Sequence, residues 1–243
     1  RQTNAQGVGQ GLVIPQSNAL SGIFNRLGEN INVTAEASLV PEVFTPTRQL
    51  RFRLVARGGG FRNIFGWYNL GDDVTNPDNR HIIFQCNSPA DATAIPVPSS
   101  VSELNFCEER QNGNWKGGPI GFFIITPQRV NGGIAPGSCP TNDQAYYAFY
   151  TEPRLNQEDP VNPYIHHLVY RSGVFDNAFY FGFEDLFRGG DDDFEDVLVL
   201  VEGLLIGNAP DVCNGDDDDC DGRIDEGASV TCESACGEGV RAC

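Results

Sequence analysis

Apolar side chains recur along this chain with a period of two, and no stretch sustains a period of 3.6. Ile31, Val33, Ala35, Ala37 and Leu39 alternate with polar residues, as do Leu50, Phe52 and Leu54 around Arg51 and Arg53. A period of two places each set on one face of a strand. Further runs at residues 64–70, 81–86, 120–126, 145–151, 164–170, 178–184 and 197–202 are rich in β-branched and aromatic residues and bounded by Gly, Pro, Asn and Asp. The runs beginning at Ile120 (IGFFIIT) and at Val197 (VLVLVEG) are apolar on both parities, so each is expected to be buried on both faces. About nine strands joined by Gly/Pro turns predict an all-β chain folded as a two-sheet β-sandwich, jelly-roll-like in outline.

Charge divides the chain. Its 243 residues carry 33 acidic and 16 basic side chains, a formal net charge of −17. That excess argues against nucleic acid as a partner, because a phosphate backbone selects basic surfaces. No stretch approaches the roughly 18 consecutive apolar residues of a membrane-spanning helix. Residues 207–243 hold ten acids against two bases and almost no large apolar side chains, so they need metal, disulfides or both to hold a shape. This sets three parts: residues 1–30, 31–206 as the sandwich, and 207–243 as a small acidic, Cys-rich metal-binding tail. The first part carries apolar side chains at Val8, Leu12, Val13, Ile14, Leu20, Ile23 and Phe24. It reads either as a first strand with a loop or as an extended arm that pairs with a neighbouring subunit.

The eight cysteines point to an oxidising compartment. Cys86, Cys107 and Cys139 lie in the body and five more in the tail, so complete internal pairing requires a bridge between body and tail. The other expectation, which we favour at this level, is that further tail modules follow Cys243. Cys213 and Cys220 flank the tail's acidic loop and can close it with a bridge; Cys86 and Cys107 are the candidates in the body.

The densest chemical signal runs from Gly182 to Asp196, GFEDLFRGGDDDFED, in which seven carboxylates fall within thirteen residues. Like charges so close raise one another's pKa or demand a cation. A Gly-Gly turn between two strands folds Glu184 and Asp185 back toward Asp191, Asp193 and Asp196. Hard oxygen ligands, with no Cys or His beside them in sequence, select Ca²⁺ over zinc or copper.

These residues resemble the signature closing a secreted bacterial domain-of-unknown-function family, whose pattern runs roughly GFEDL…GGDxDFxD. The match falls on Glu184, Asp185, Asp191, Asp193, Phe194 and Asp196; the position of Asp192 varies in the family and is left out of the ligand set. Phe65-Gly66-Trp67-Tyr68-Asn69 also resembles a strand of that family. The likeness spans about residues 31–206 and is specific over fifteen of them. It implies a calcium-binding β-sandwich found in surface proteins, adhesins and anchored exoproteins, and it implies no reaction.

A second acidic signal lies in the tail, where Asp217, Asp219, Asp221, Gly222 and Asp225 spell DxDxDGxxD. Alternate acids put oxygens on one side of a loop and the glycine permits a sharp turn, as in the first half of an EF-hand loop. The twelfth position of that register is Ala228, so either Glu226 substitutes for the bidentate Glu or the loop is shorter. The stretch resembles the CNGxDDDCDGxxDEG metal-binding motif of bacterial exoproteins and, more distantly, thrombospondin type 3 calcium repeats. One relative of the motif is associated with copper, for which this tail has no His or Met.

Other signals carry less. His166 and His167 are adjacent on a strand and cannot chelate together. Asn32-Val33-Thr34 is the only N-glycosylation sequon, and chance is its leading reading. Trp67 reads as core. No GxSxG, HExxH or phosphate loop occurs, and the acids gather at a turn rather than across a cleft as a glycosidase requires; the chain does not read as an enzyme. The expectation is an extracellular, secreted calcium-binding structural protein. Residues 8–24 would add a strand to the next copy, a head-to-tail contact that gives a homo-oligomeric filament. The alternative is a carbohydrate-binding module, with glycans as partners, which an exposed aromatic platform near the acidic turn would favour.

Overall fold

The computed structural model describes residues 18–58, 60–88, 100–133, 137–156, 158, 163–207, 215, 217, 220, 223–225, 229–234 and 237–242. Two antiparallel sheets stack face to face. The first has five strands, in the order β4 (Val101–Asn105), β1 (Thr45–Ala56), β9 (Val197–Leu205), β8 (Ala178–Phe183) and β7 (His167–Arg171). The second has four, in the order β3 (His81–Phe84), β2 (Ile64–Asn69), β5 (Ile120–Arg129) and β6 (Tyr146–Tyr150). The chain is thus an all-β two-sheet sandwich. Two short helices, α1 (Asn18–Arg26) and α2 (Phe106–Gln111), lie outside the sheets, and β10 (Ser229–Ser234) pairs with β11 (Gly237–Ala242) in the tail.

The two-sided apolar runs have a direct structural cause, since each sheet is covered on both faces. Phe52, Phe65, Phe122, Phe181, Val199 and their neighbours fill the space between the sheets. Phe122 and Phe181 rings sit 4.7 Å apart there. The opposite parity of β8 and β9, with Tyr180, Leu198 and Leu200, is buried under Leu20 and Phe24 of α1 together with Val33. On the far side of the second sheet Tyr68, Phe123, Ile125 and Tyr150 form a third cluster, which includes Cys86.

Helix α1 corrects the expectation that no helical stripe exists and that residues 8–24 form a strand. Leu20, Ile23, Phe24 and Leu27 follow the i, i+3, i+4, i+7 pattern, too briefly to stand out. Leu20 and Phe24 are fully buried against the chain's own sandwich. The helix stops at Gly28 (φ 78°), where Glu29 N–H bonds Phe24 O at 2.9 Å and Gly28 N–H bonds Asn25 O at 3.1 Å. This is a Schellman ending, which calls for a residue at positive φ. The Glu29 carboxylate is itself buried, accepting from Ser172 Oγ, Gly173 N (2.9 Å) and Tyr180 OH (2.9 Å), and so ties the helix to the sheet. The remaining residues of the expected arm, 1–17, lie outside the described part.

The alternating stretch 31–39 is not a strand either. Asn32 Oδ1 accepts from Ala35 N (3.0 Å), and Glu36 Oε1 accepts from Asn32 N (2.8 Å). Side chains that bond the local backbone offer it a turn in place of a ladder. Only Ser38 reaches β7, through a single bridge to Val169. Strand β4, by contrast, was not foreseen, its VSELN text being largely polar.

Two disulfides are formed among the described residues. Cys86 pairs with Cys139 (Cα–Cα 5.5 Å), and Cys107 of α2 pairs with Cys220 of the tail (Cα–Cα 5.1 Å). The second is a bridge between body and tail, and it rules out the expected closure of the acidic loop by Cys213 and Cys220. Cys220 is a buried member of the inter-sheet cluster, so its sulfur meets α2 rather than Cys213, which lies outside the described residues.

Candidate metal centre

Strands β8 and β9 pair in register up to Phe183 and Val197, so residues 184–196 form the loop that closes this hairpin. The loop is pinned from several sides. Phe194 is fully buried in the outer cluster, and Gly182 beneath it leaves the space, since a Cβ there would meet Phe194 O at 2.5 Å. Gly58 N–H bonds Glu195 O at 2.9 Å, and Phe187 N–H bonds Gln128 Oε1 at 2.8 Å. Arg188, Asp192 and Phe194 all sit at positive φ (65°, 59° and 56°). Non-glycine residues held this way cost free energy, and such conformations cluster at functional sites.

The pinned loop sorts the acids into two groups. Glu184, Asp191 and Asp193 each present a carboxylate oxygen within 4.8 Å of the others. Glu184 is fully buried; its Oε1 accepts from Phe194 N (2.8 Å) and its Oε2 from Gly190 N (3.2 Å). Asp185 and Asp196 form the second group. Asp196 Oδ2 accepts from Asp185 N (3.0 Å), and Asp185 Oδ2 accepts from Asn63 Nδ2 (2.6 Å).

Burial dominates the electrostatics. It pushes Glu184 up to about 8, helped by the charges of Asp193 and Asp191 and opposed by the Phe194 N–H. Burial likewise raises Asp185, Asp193 and Glu195. Asp196 is raised by burial and then by the charges of Asp185 and Glu184. Among the described residues, no Lys or Arg side chain pairs with Glu184, Asp185, Asp191, Asp193 or Asp196. Carboxylates sharing a buried site in this way must either take up protons or receive a cation.

The donor set fits calcium. Oxygens around one Ca²⁺ stand at about 2.3–2.6 Å from it, hence no more than roughly 5 Å from each other, and the first group meets that limit. His166 lies beside the site, a proximity that sequence reasoning missed because it sits eighteen residues before Glu184. Its Nδ1 contacts Glu184 O at 3.0 Å and its Nε2 contacts Glu158 Oε2 at 2.7 Å, with the ring stacked 3.6 Å from Phe149. Both nitrogens are therefore occupied, and the open donors are all oxygens. Glu158 also accepts from Arg188 N–H, bracing the turn from a distant loop. Asn63 and Glu158 carry no local motif that would reveal them.

The remaining sequence candidates divide. In the tail, Asp225 accepts from Gly215 N–H (3.1 and 3.2 Å), and Asp217 O lies 3.8 Å from Cys107 Sγ. Asp219, Asp221 and Glu226 lie outside the described residues. His167 is fully buried, and burial, then the neighbouring His166, holds it neutral, down to about 3. Asn32 is exposed, with its amide oxygen engaged in the turn. Among the described residues no helix is long and apolar enough to cross a membrane.

Residues 115–203 match the model of a family described as a domain of unknown function (DUF4114). The match takes in β5 to most of β9 and therefore the whole acidic loop. No curated protein and no solved structure matches the chain.

Proposed function

We propose that this chain is a calcium-binding β-sandwich module with a structural or adhesive role in an extracellular protein, in which the β8–β9 loop is braced by the ion. One observation carries the reading. Glu184 is fully buried, has no cationic partner among the described residues, and shares a 4.8 Å triangle with Asp191 and Asp193. The likeness of GFEDL…GGDDDFED to the calcium signature supports a site in the same loop; it takes in Asp185 and Asp196 as well, which in this reading stand behind the ion and orient the loop. The two disulfides fit an oxidising compartment. A second ion in the tail loop, held by Asp217, Asp219, Asp221, Asp225 and Glu226, belongs to the same proposal.

Assembly into filaments by strand addition now rests on residues ahead of Asn18, because residues 18–26 pack on their own sandwich. Its support is that β3, β4 and β6 end their sheets, as does β7 apart from its one bridge to Ser38, and an unpaired edge accepts a strand of suitable pattern. Deleting residues 1–17 is expected to abolish polymers while leaving the fold, as seen by electron microscopy.

The calcium reading is tested by thermal melting in calcium and in chelator. Calcium at a hundredfold excess over its dissociation constant contributes about 2.7 kcal/mol, and the Asp193→Ala chain is expected to lose that increment. A melting curve that is the same in calcium and chelator would overturn the proposal.

A further inference from the structure

On the outer face of the second sheet a cavity of about 240 Å³ opens beside β6. Its lining includes Arg80, Tyr146, Tyr147, Tyr150, Thr75 and Gln144. The volume falls below the roughly 300–1,000 Å³ of sites for drug-sized molecules, so it suits a fragment of about one ring.

Arg80 is the unusual member. It is only 5% exposed and stands next to Tyr150, and its Nε and Nη2 have no hydrogen-bond partner among the described residues. These two nitrogens share one edge of the guanidinium, the edge that grips a carboxylate or sulfate through two parallel bonds. A buried cation is costly unless it is paired and hydrogen-bonded. The charges of Arg80 and Asp143 act on each other, but no carboxylate among the described residues bonds Nε or Nη2, and the acids nearby take their hydrogen bonds from other donors. Asp143 accepts from Thr141 Oγ1 and from Ala145 N (2.7 Å), and Asp73 Oδ1 accepts from Thr75 N (3.0 Å) and Thr75 Oγ1 (2.6 Å). A second guanidinium, that of Arg129, lies 5.1 Å from the Tyr146 ring centroid and bonds its hydroxyl at 3.2 Å. Two guanidiniums thus stand near two carboxylates, and the patch is locally close to neutral on a chain of net charge −17.

Tyrosines supply flat apolar faces with a polar tip, and the exposed Thr75 and Gln144 supply partners for hydroxyl groups. We propose that this cavity binds an acidic sugar, its anionic substituent held by the Arg80 fork and its ring resting on Tyr146. Nε and Nη2 are shielded from bulk water, so binding requires the guanidinium to turn toward the cavity. The site shares no residue with the calcium loop, but Tyr147 of its lining packs 4.9 Å from the Phe187 ring of that loop, so saturating calcium is used to hold the loop in one state while the cavity is tested.

The test is titration calorimetry of the full chain in saturating calcium with four monomeric probes: galacturonate, galactose 6-sulfate, galactose and acetate. Monomers avoid the calcium gels that longer uronates form. The two acidic sugars are expected to saturate one site, and the tighter of them identifies the anion. Arg80→Gln is expected to weaken binding about tenfold or more, the loss typical of a charge-assisted pair. Should that variant melt lower than the parent, Tyr146→Ala, which removes a half-buried ring at the rim and its contacts with Arg129, must weaken the acidic sugars by itself. Galactose or acetate binding as tightly as galacturonate would overturn the proposal, as would the absence of saturable binding by both acidic sugars.

Discussion

Glu184→Gln is expected to change stability with opposite signs in chelator and in calcium. The wild-type carboxyl is fully buried and pushed up to about 8 from its ordinary 4.5. In chelator the folded chain therefore holds this proton more tightly than the unfolded chain does. Its stabilising effect is full below about pH 4.5 and is lost as the pH rises toward about 8. The loss approaches about 1.4 kcal/mol per pH unit in that window, or about 2.5 kcal/mol between about pH 5 and pH 7. For a chain of this size that is a fall of about 5–10 °C in melting temperature. The amide of the variant does not titrate, and like the protonated acid it offers one good acceptor to the Phe194 and Gly190 N–H groups. The variant should therefore match wild type near pH 5 and exceed it near pH 7 when calcium is withheld. In saturating calcium the ion takes the place of the proton, the wild-type slope flattens, and the variant becomes the less stable chain. Scanning calorimetry across this pH range in both buffers reads the effect. Parallel pH profiles for the two chains in chelator would show that Glu184 ionises normally and would refute the argument.

Three further outcomes follow from the packing. Phe194→Ala should cost about 3–5 kcal/mol by opening the outer cluster and should also weaken calcium binding, since the Phe194 N–H orients Glu184; equilibrium unfolding and calcium titration measure the two. Peptide mapping without reduction should recover Cys107 joined to Cys220, whereas a Cys213–Cys220 peptide would contradict the tail's attachment to α2. Deleting residues 1–26 should shift the urea midpoint markedly downward, because Leu20 and Phe24 are fully buried and each such side chain is worth about 2–5 kcal/mol; an unchanged midpoint would make the helix an appendage.

Much of the sandwich was legible because strand signals are local. The two-sided runs at Ile120 and Val197 announced layers on both faces, and the crowding of acids between Glu184 and Asp196 announced a shared site. The features that escaped are set by distance in space. Three stripe positions in a nine-residue helix, with Leu27 just past its end, are too few to distinguish α1 from a strand with a loop, and only the outer face of β8 and β9 explains why those positions are apolar. Asn32 and Glu36 overrode a period-two pattern through side-chain bonds to the backbone. The partition of the acids into Glu184–Asp191–Asp193 and Asp185–Asp196 depends on Phe194 at positive φ and on Asn63, which precedes β2 of the other sheet. The partner of Cys220 was undetermined by spacing because α2 lies over a hundred residues away.

The most direct measurement of the central claim is a crystal structure of the chain grown in calcium. The account predicts one ion with oxygens of Glu184, Asp191 and Asp193 at about 2.3–2.6 Å, with Glu184 still bonded to the Phe194 N–H. An ion-free loop at saturating calcium, with these carboxylates instead bridged by protons or reached by an arginine, would contradict it.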